Sequence, residues 1–180
     1  VVARNPEHAA RGLAKIDLKA DEDIELSEGM KLITVIDRPG GDRIAVVEQP
    51  SGGVIRGIHY IGEGTTSRLR EDLPPAGDIL NPDAADSFIE LVYHRFFKLF
   101  GEYFGTTILG IFTDEPSPLG RNPIRGIVPG NASLLSQINR ILGYNIEPFL
   151  NCLWYEDEPD FQKYRLDYYR AINVCLEENY

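Results

Sequence analysis

The hydrophobic period of this chain changes partway along it, and no single kind of element can satisfy both halves. Before residue 62 apolar side chains tend to alternate with polar ones, and after residue 81 they recur at helical spacing. Leu13, Lys15, Asp17 and Lys19 share one parity while Ala14, Ile16 and Leu18 share the other, as a half-buried strand requires. Residues 30–37 and 43–48 flank Arg38-Pro39-Gly40-Gly41-Asp42, which is turn chemistry between two strands. A fourth strand is expected over residues 54–61, after Pro50-Ser51-Gly52-Gly53. Residues 13–62 thus read as a small antiparallel sheet. Residues 1–12 hold a short helix that Asn5-Pro6-Glu7 opens with a cap, a proline and an acidic first turn.

Residues 63–180 read differently. A loop rich in Gly, Thr and Pro leads to Asn81-Pro82-Asp83, a second helix start of the same kind, and Gly105 is suited to end that helix. Phe88, Leu91, Val92, Phe96, Leu99, Phe100 and Tyr103 lie between them at helical spacing. The run Thr106-Thr107-Ile108-Leu109-Gly110-Ile111-Phe112-Thr113 is apolar with little alternation, which predicts a strand buried on both faces of a parallel sheet. A helix feeding such a strand is half of an α/β unit. Further helices are predicted between Asn131 and Gly143 and after Glu158-Pro159-Asp160, with a short apolar segment over residues 146–154.

The formal charge of −10 and the scattered Lys and Arg residues repel phosphate backbones and anionic lipid, so neither nucleic acid nor a membrane surface is expected as a partner. No apolar run approaches the roughly 20 residues that span a bilayer. Cys152 and Cys175 lack a CxxC spacing and read as buried thiols, so no metal site is expected. Gly40-Gly41 and Gly52-Gly53 lack the spacing of a phosphate loop and mark turns, and no cofactor is expected.

The sharpest chemical feature is Thr113-Asp114-Glu115-Pro116, at the end of the predicted buried strand. Strand C-termini form the active-site floor of parallel α/β folds, so carboxylates there are candidates by position. Neighbouring strand residues point to opposite sides, which makes one of Asp114 and Glu115 the reagent and the other its support. The same four residues also suit a turn or a helix start. Trp154, before Tyr155-Glu156-Asp157-Glu158, offers an aromatic platform for a sugar, or else simply closes a helix ahead of an acidic first turn. His59 on the fourth strand is a weaker candidate for substrate binding, and His94 weaker still.

Four blocks carry a resemblance to a known family: Val1-Val2-Ala3-Arg4-Asn5-Pro6-Glu7, Asp78-Ile79-Leu80-Asn81-Pro82-Asp83-Ala84, Phe88-Ile89-Glu90-Leu91, and the run from Phe100 through Glu115-Pro116. Together they resemble a group of large bacterial glycoside hydrolases, from the first residue to about residue 116. The resemblance implies an internal segment of a (β/α)8 barrel, here a partial TIM barrel of α/β class with the antiparallel sheet of residues 13–62 inserted. It implies a carbohydrate substrate, Glu115 as general acid/base, and Asp114, where many such enzymes have Asn, as a substrate ligand. It places the second carboxylate on a later strand outside this chain, so that hydrolysis is expected of the whole enzyme rather than of this segment alone. The other reading is a non-catalytic carbohydrate-binding or interaction module derived from such a barrel. Unpaired edges of a severed sheet would in either case favour a homo-oligomer.

Overall fold

The computed structural model describes residues 1–55, 74–113 and 115–180. Its centre is one antiparallel sheet made by the alternating part of the chain: β1 (Arg11–Leu18), β2 (Lys31–Asp37) and β3 (Arg43–Pro50). A two-residue strand from much later in the chain, β4 (Val128–Pro129), pairs with β1, giving the order β2-β3-β1-β4. β1 faces β3 with Leu13 opposite Glu48 and Ile16 opposite Ala45, and β2 meets β3 through an irregularity between Leu32 and Thr34. Because β3 is central, residues 44–49 are all buried.

The second layer is helical. Asn131 caps α3 (Ala132–Leu142) by accepting from Leu134 N–H at 2.8 Å, and Gly143 ends it in the left-handed region at φ 74°. A 3-10 segment (Glu147–Leu153) follows, and the amphipathic α4 (Phe161–Asn179) closes the layer. Leu13, Ile44 and Val46 of the sheet meet Leu134 and Ile138 of α3, Ile146 before the 3-10 segment and Leu150 within it, and Ile172 of α4. Tyr168 sits fully buried at the centre, its hydroxyl donating to Pro129 O at 2.6 Å, and burial pushes its phenol well above the usual tyrosine range. Cys152 and Cys175 are both buried free thiols.

Between β3 and β4 in sequence lies a helical arm. Asn81 accepts from Asp83 N–H at 3.0 Å, Pro82 occupies the first helical position, and α1 (Pro82–Phe88) begins there. One π-helical segment (Ile89–His94) joins it to α2 (Arg95–Phe100) and a final 3-10 turn (Gly101–Tyr103). The arm leaves its large side chains in solvent, with Phe97 60% and Leu99 62% exposed.

This architecture corrects the expected fold class. Among the described residues there is one four-stranded antiparallel sheet beside helices, with no strand–helix alternation, so the partial (β/α)8 barrel is not formed. The reason lies in residues 106–113, which are not a buried strand. The amides of Thr107 and Ile108 both return to Tyr103 O at 2.9 Å, so the chain curls back on the helix end instead of extending. Leu109 is then 84% and Phe112 87% exposed. An apolar run becomes an inner strand only where flanking strands take its backbone bonds, and among the described residues none flanks this one.

Candidate functional site

Three segments that are distant in sequence cross at a tight backbone junction. Val54 and Arg121 exchange amide bonds at 3.0 and 2.9 Å, Ala76 N–H donates to Gly53 O at 3.0 Å, and Ile124 N–H donates to Ser51 O at 2.8 Å. Ser51 is itself buried, and its hydroxyl donates to Leu119 O at 2.8 Å. Gly53 is required here, since a Cβ on it would lie 1.7 Å from Leu119 O. The junction fixes the loop that carries Glu115, Pro116 and Ser117.

That loop forms one side of a cleft of about 1150 Å³. Ile55 and the Pro74-Pro75 stretch form a second side, and Phe88, Ile89 and Tyr93 of the helical arm form a third. Phe88 and Tyr93 meet edge to face at 5.5 Å. Thr113, Glu115, Ser117 and Arg121 bring polar groups from the loop side, and Asp78, Tyr93, Asn179 and Tyr180 bring others. Glu115 is exposed and holds φ 45°, in the left-handed region where a side chain costs about 1–2 kcal/mol. Such backbone persists only where its surroundings dictate it, and it concentrates at functional sites.

Asp78 supports the cleft from beneath. Its side chain is buried, with Oδ1 accepting from Leu80 N–H at 3.0 Å and Oδ2 accepting from the Asn131 side-chain amide at 3.1 Å. Burial pushes its carboxyl up to about 6, with the nearby Glu48 charge adding to the rise while the two hydrogen bonds and Arg11 oppose it. Glu48 is a second buried carboxylate: Arg11 Nε donates to Oε1, and Ala132 N–H at the start of α3 donates to Oε2 at 2.8 Å. Arg11, Glu48, Asn131 and Asp78 therefore form one polar chain from the sheet, past the α3 N-terminus, to the cleft floor.

The sequence candidates fall in different places. Glu115 lines the cleft, but from a loop rather than from the end of a strand. Asp114 and His59, with most of the fourth strand predicted over 54–61, lie outside the described residues. Trp154 does not line the cleft. It closes the 3-10 segment, packs against the core and donates its indole N–H to Gly126 O at 2.7 Å. His94 is exposed on the arm and pairs with Glu90 one helical turn away. Tyr93, Arg121 and Asp78 were not singled out from sequence as site residues, because they line one cleft from segments that lie far apart along the chain.

Among the described residues no group of three or more His, Cys, Asp or Glu side chains converges as metal ligands would. Among the described residues the fold is that of an α+β protein, with one antiparallel sheet and a cleft beside it. No family model matches the chain, and no match was found among curated proteins or solved structures.

Proposed function

We propose that this chain carries the general acid of a glycoside hydrolase, Glu115, and that the sugar is bound at the loop side of the cleft. The observation that carries the reading is the position of Glu115: the residue that the glycosidase resemblance marks as the acid also lines the 1150 Å³ cleft, on a backbone held at positive φ. In this role the Glu115 carboxyl gives its proton to the glycosidic oxygen as that oxygen takes the bonding electron pair from the anomeric carbon. Water then adds to the anomeric carbon and returns a proton to Glu115, so the products are a free sugar and an alcohol. Arg121, Ser117 and Thr113 supply hydrogen-bonding groups for sugar hydroxyls around it.

Hydrolysis of a panel of aryl glycosides by the full-length protein and by its Glu115→Gln variant tests this. The expected result is a loss of 10²-fold or more, on the order of what a general acid contributes, and greatest on poor leaving groups. Equal rates for the two proteins, or no hydrolysis by either, would overturn it.

One observation favours a non-catalytic carbohydrate-binding module instead. Of the described carboxylate residues lining the cleft, Asp78 has both oxygens engaged by Leu80 and Asn131, which suits a structural role better than that of a second catalytic carboxylate. Binding of the panel sugars with no hydrolysis is the outcome that separates this reading from the first.

A further inference from the structure

The lining of the cleft is uneven. Thr113, Glu115, Ser117 and Arg121 put hydrogen-bonding side chains on the loop side, and Asp78, Tyr93, Asn179 and Tyr180 add others, while Ile55, Pro74, Pro75, Phe88 and Ile89 supply apolar surface away from that loop. Phe88 is 44%, Ile89 38% and Ile55 38% exposed, so their apolar surface is open to a ligand rather than consumed by packing. A polysaccharide presents hydroxyls on every ring, and laying one along aliphatic and proline side chains would strip water from those hydroxyls without replacing their hydrogen bonds. An apolar group laid on the same surface loses nothing and gains by burial.

We infer that the cleft takes glycosides with an apolar aglycone, aryl or short alkyl, whose sugar meets the Glu115 loop and whose aglycone lies against Phe88, Ile89 and Ile55. This rests on the assignment of Glu115 as the acid, since it is the position of the sugar at Glu115 that points the leaving group toward the arm. The cleft is large enough for both parts, as binding sites for small ligands commonly occupy about 300–1,000 Å³. Hydrolysis then releases a hydrophobic alcohol or phenol, which the same apolar sides hold after the glycosidic bond has broken.

Calorimetric titration of the protein with methyl, phenyl and hexyl glycosides of glucose, galactose, mannose and xylose, and with the matching oligosaccharides, tests the inference. For at least one sugar, the hexyl and phenyl glycosides are expected to bind roughly tenfold or more tightly than the methyl glycoside, the gain from burying about two methylene groups. Ile89→Gln and, independently, Ile55→Gln should abolish that difference by weakening hexyl and phenyl binding roughly tenfold. Two surface positions are used so that a folding defect in one variant, visible by circular dichroism, leaves the other decisive. Methyl glycosides or oligosaccharides binding as tightly as hexyl glycosides would overturn the inference, as would a hexyl preference that survives both substitutions. If the hexyl preference is lost in these variants while Glu115→Gln hydrolyses aryl glycosides at the parent rate, the acid assignment fails and the aglycone contact stands.

Discussion

The Asn131 side-chain amide donates to Asp78 Oδ2 at 3.1 Å across 53 residues of sequence, while Asn131 Oδ1 caps α3. One side chain thus joins a helix N-terminus to the segment beneath the cleft. Because burial raises the Asp78 carboxyl to about 6 from 3.8, the folded protein binds a proton here that the unfolded chain has already released. Stability from this group is therefore greatest below pH 4, falls as the pH rises through about 6, and is lowest at neutral pH. The difference is roughly 2–3 kcal/mol at 1.36 kcal/mol per pKa unit. Urea denaturation of the parent and Asp78→Asn at pH 4.5 and pH 7 is expected to show the parent losing stability relative to the variant as the pH rises. A pH-independent difference between the two would remove Asp78 as the titrating group.

Glu48 stands in the same polar chain and depends on one cation. Its side chain is buried, and Arg11 is the residue that pairs with it. Removing the cation leaves a buried carboxylate held by the Ala132 amide. Arg11→Met is expected to cost roughly 3 kcal/mol, in the range for breaking one side of a buried pair. Arg11→Met with Glu48→Gln should recover much of that, since the neutral amide keeps an acceptor for Ala132 N–H without a buried charge. Chemical denaturation at pH 7 measures both, and equal losses for the single and double variants would show that the pair is not what matters.

Much of the sheet was legible from local signals: β1 alternates apolar and polar residues in sequence, and the turn chemistry of residues 38–42 separates β2 from β3, although β3 is buried throughout residues 44–49. The caps Asn5, Asn81 and Asn131 were legible because a capping side chain acts within its own helical turn. What escaped notice depends on distant partners. β4 is two residues long and exists only because Gly12 and Leu13 lie beside it. Residues 106–113 have the composition of an inner strand, yet composition cannot report whether flanking strands exist. Glu115 was singled out by its place at the end of a strand that is not formed and by the resemblance, while Asp78 and Glu48 gave no local sign, since what makes them unusual is burial beside residues far along the chain.

Gly53 and Gly110 offer a matched pair of substitutions. A Cβ at Gly53 would meet Leu119 O at 1.7 Å, backbone that cannot move aside without opening the junction, whereas a Cβ at Gly110 meets nothing within 4 Å. Gly53→Ala is expected to destabilise the fold by roughly 3 kcal/mol, the upper part of the usual overpacking range. It should also weaken ligand binding at the cleft, because the displaced segment carries the Glu115 loop. Gly110→Ala is expected to stay within about 0.5 kcal/mol of the parent. Thermal denaturation of both reports the contrast, and similar melting temperatures would mean that the crossing is looser than its hydrogen bonds imply.

The arm and the turn after it expose Phe96, Phe97, Leu99, Phe100, Leu109, Ile111 and Phe112. At about 200 Å² for each large side chain, their exposed fractions amount to roughly 900 Å² of apolar surface. A stable interface of standard size buries about 800 Å² on each partner, so a second copy of this chain meeting the first arm to arm would have enough surface to form a dimer. The sheet edge formed by β2, with Leu32 exposed, is a second candidate contact, but a shorter one. Sedimentation velocity at micromolar concentration is expected to show self-association that Phe97→Glu with Leu99→Glu abolishes, since two charges per copy would then have to be buried against an apolar face. Both positions are more than half exposed, so the substitutions should leave the fold intact. If the parent sediments as a monomer, the arm is not a self-association surface. Association that survives the double variant and is lost in Leu32→Lys would instead place the contact on the edge of β2.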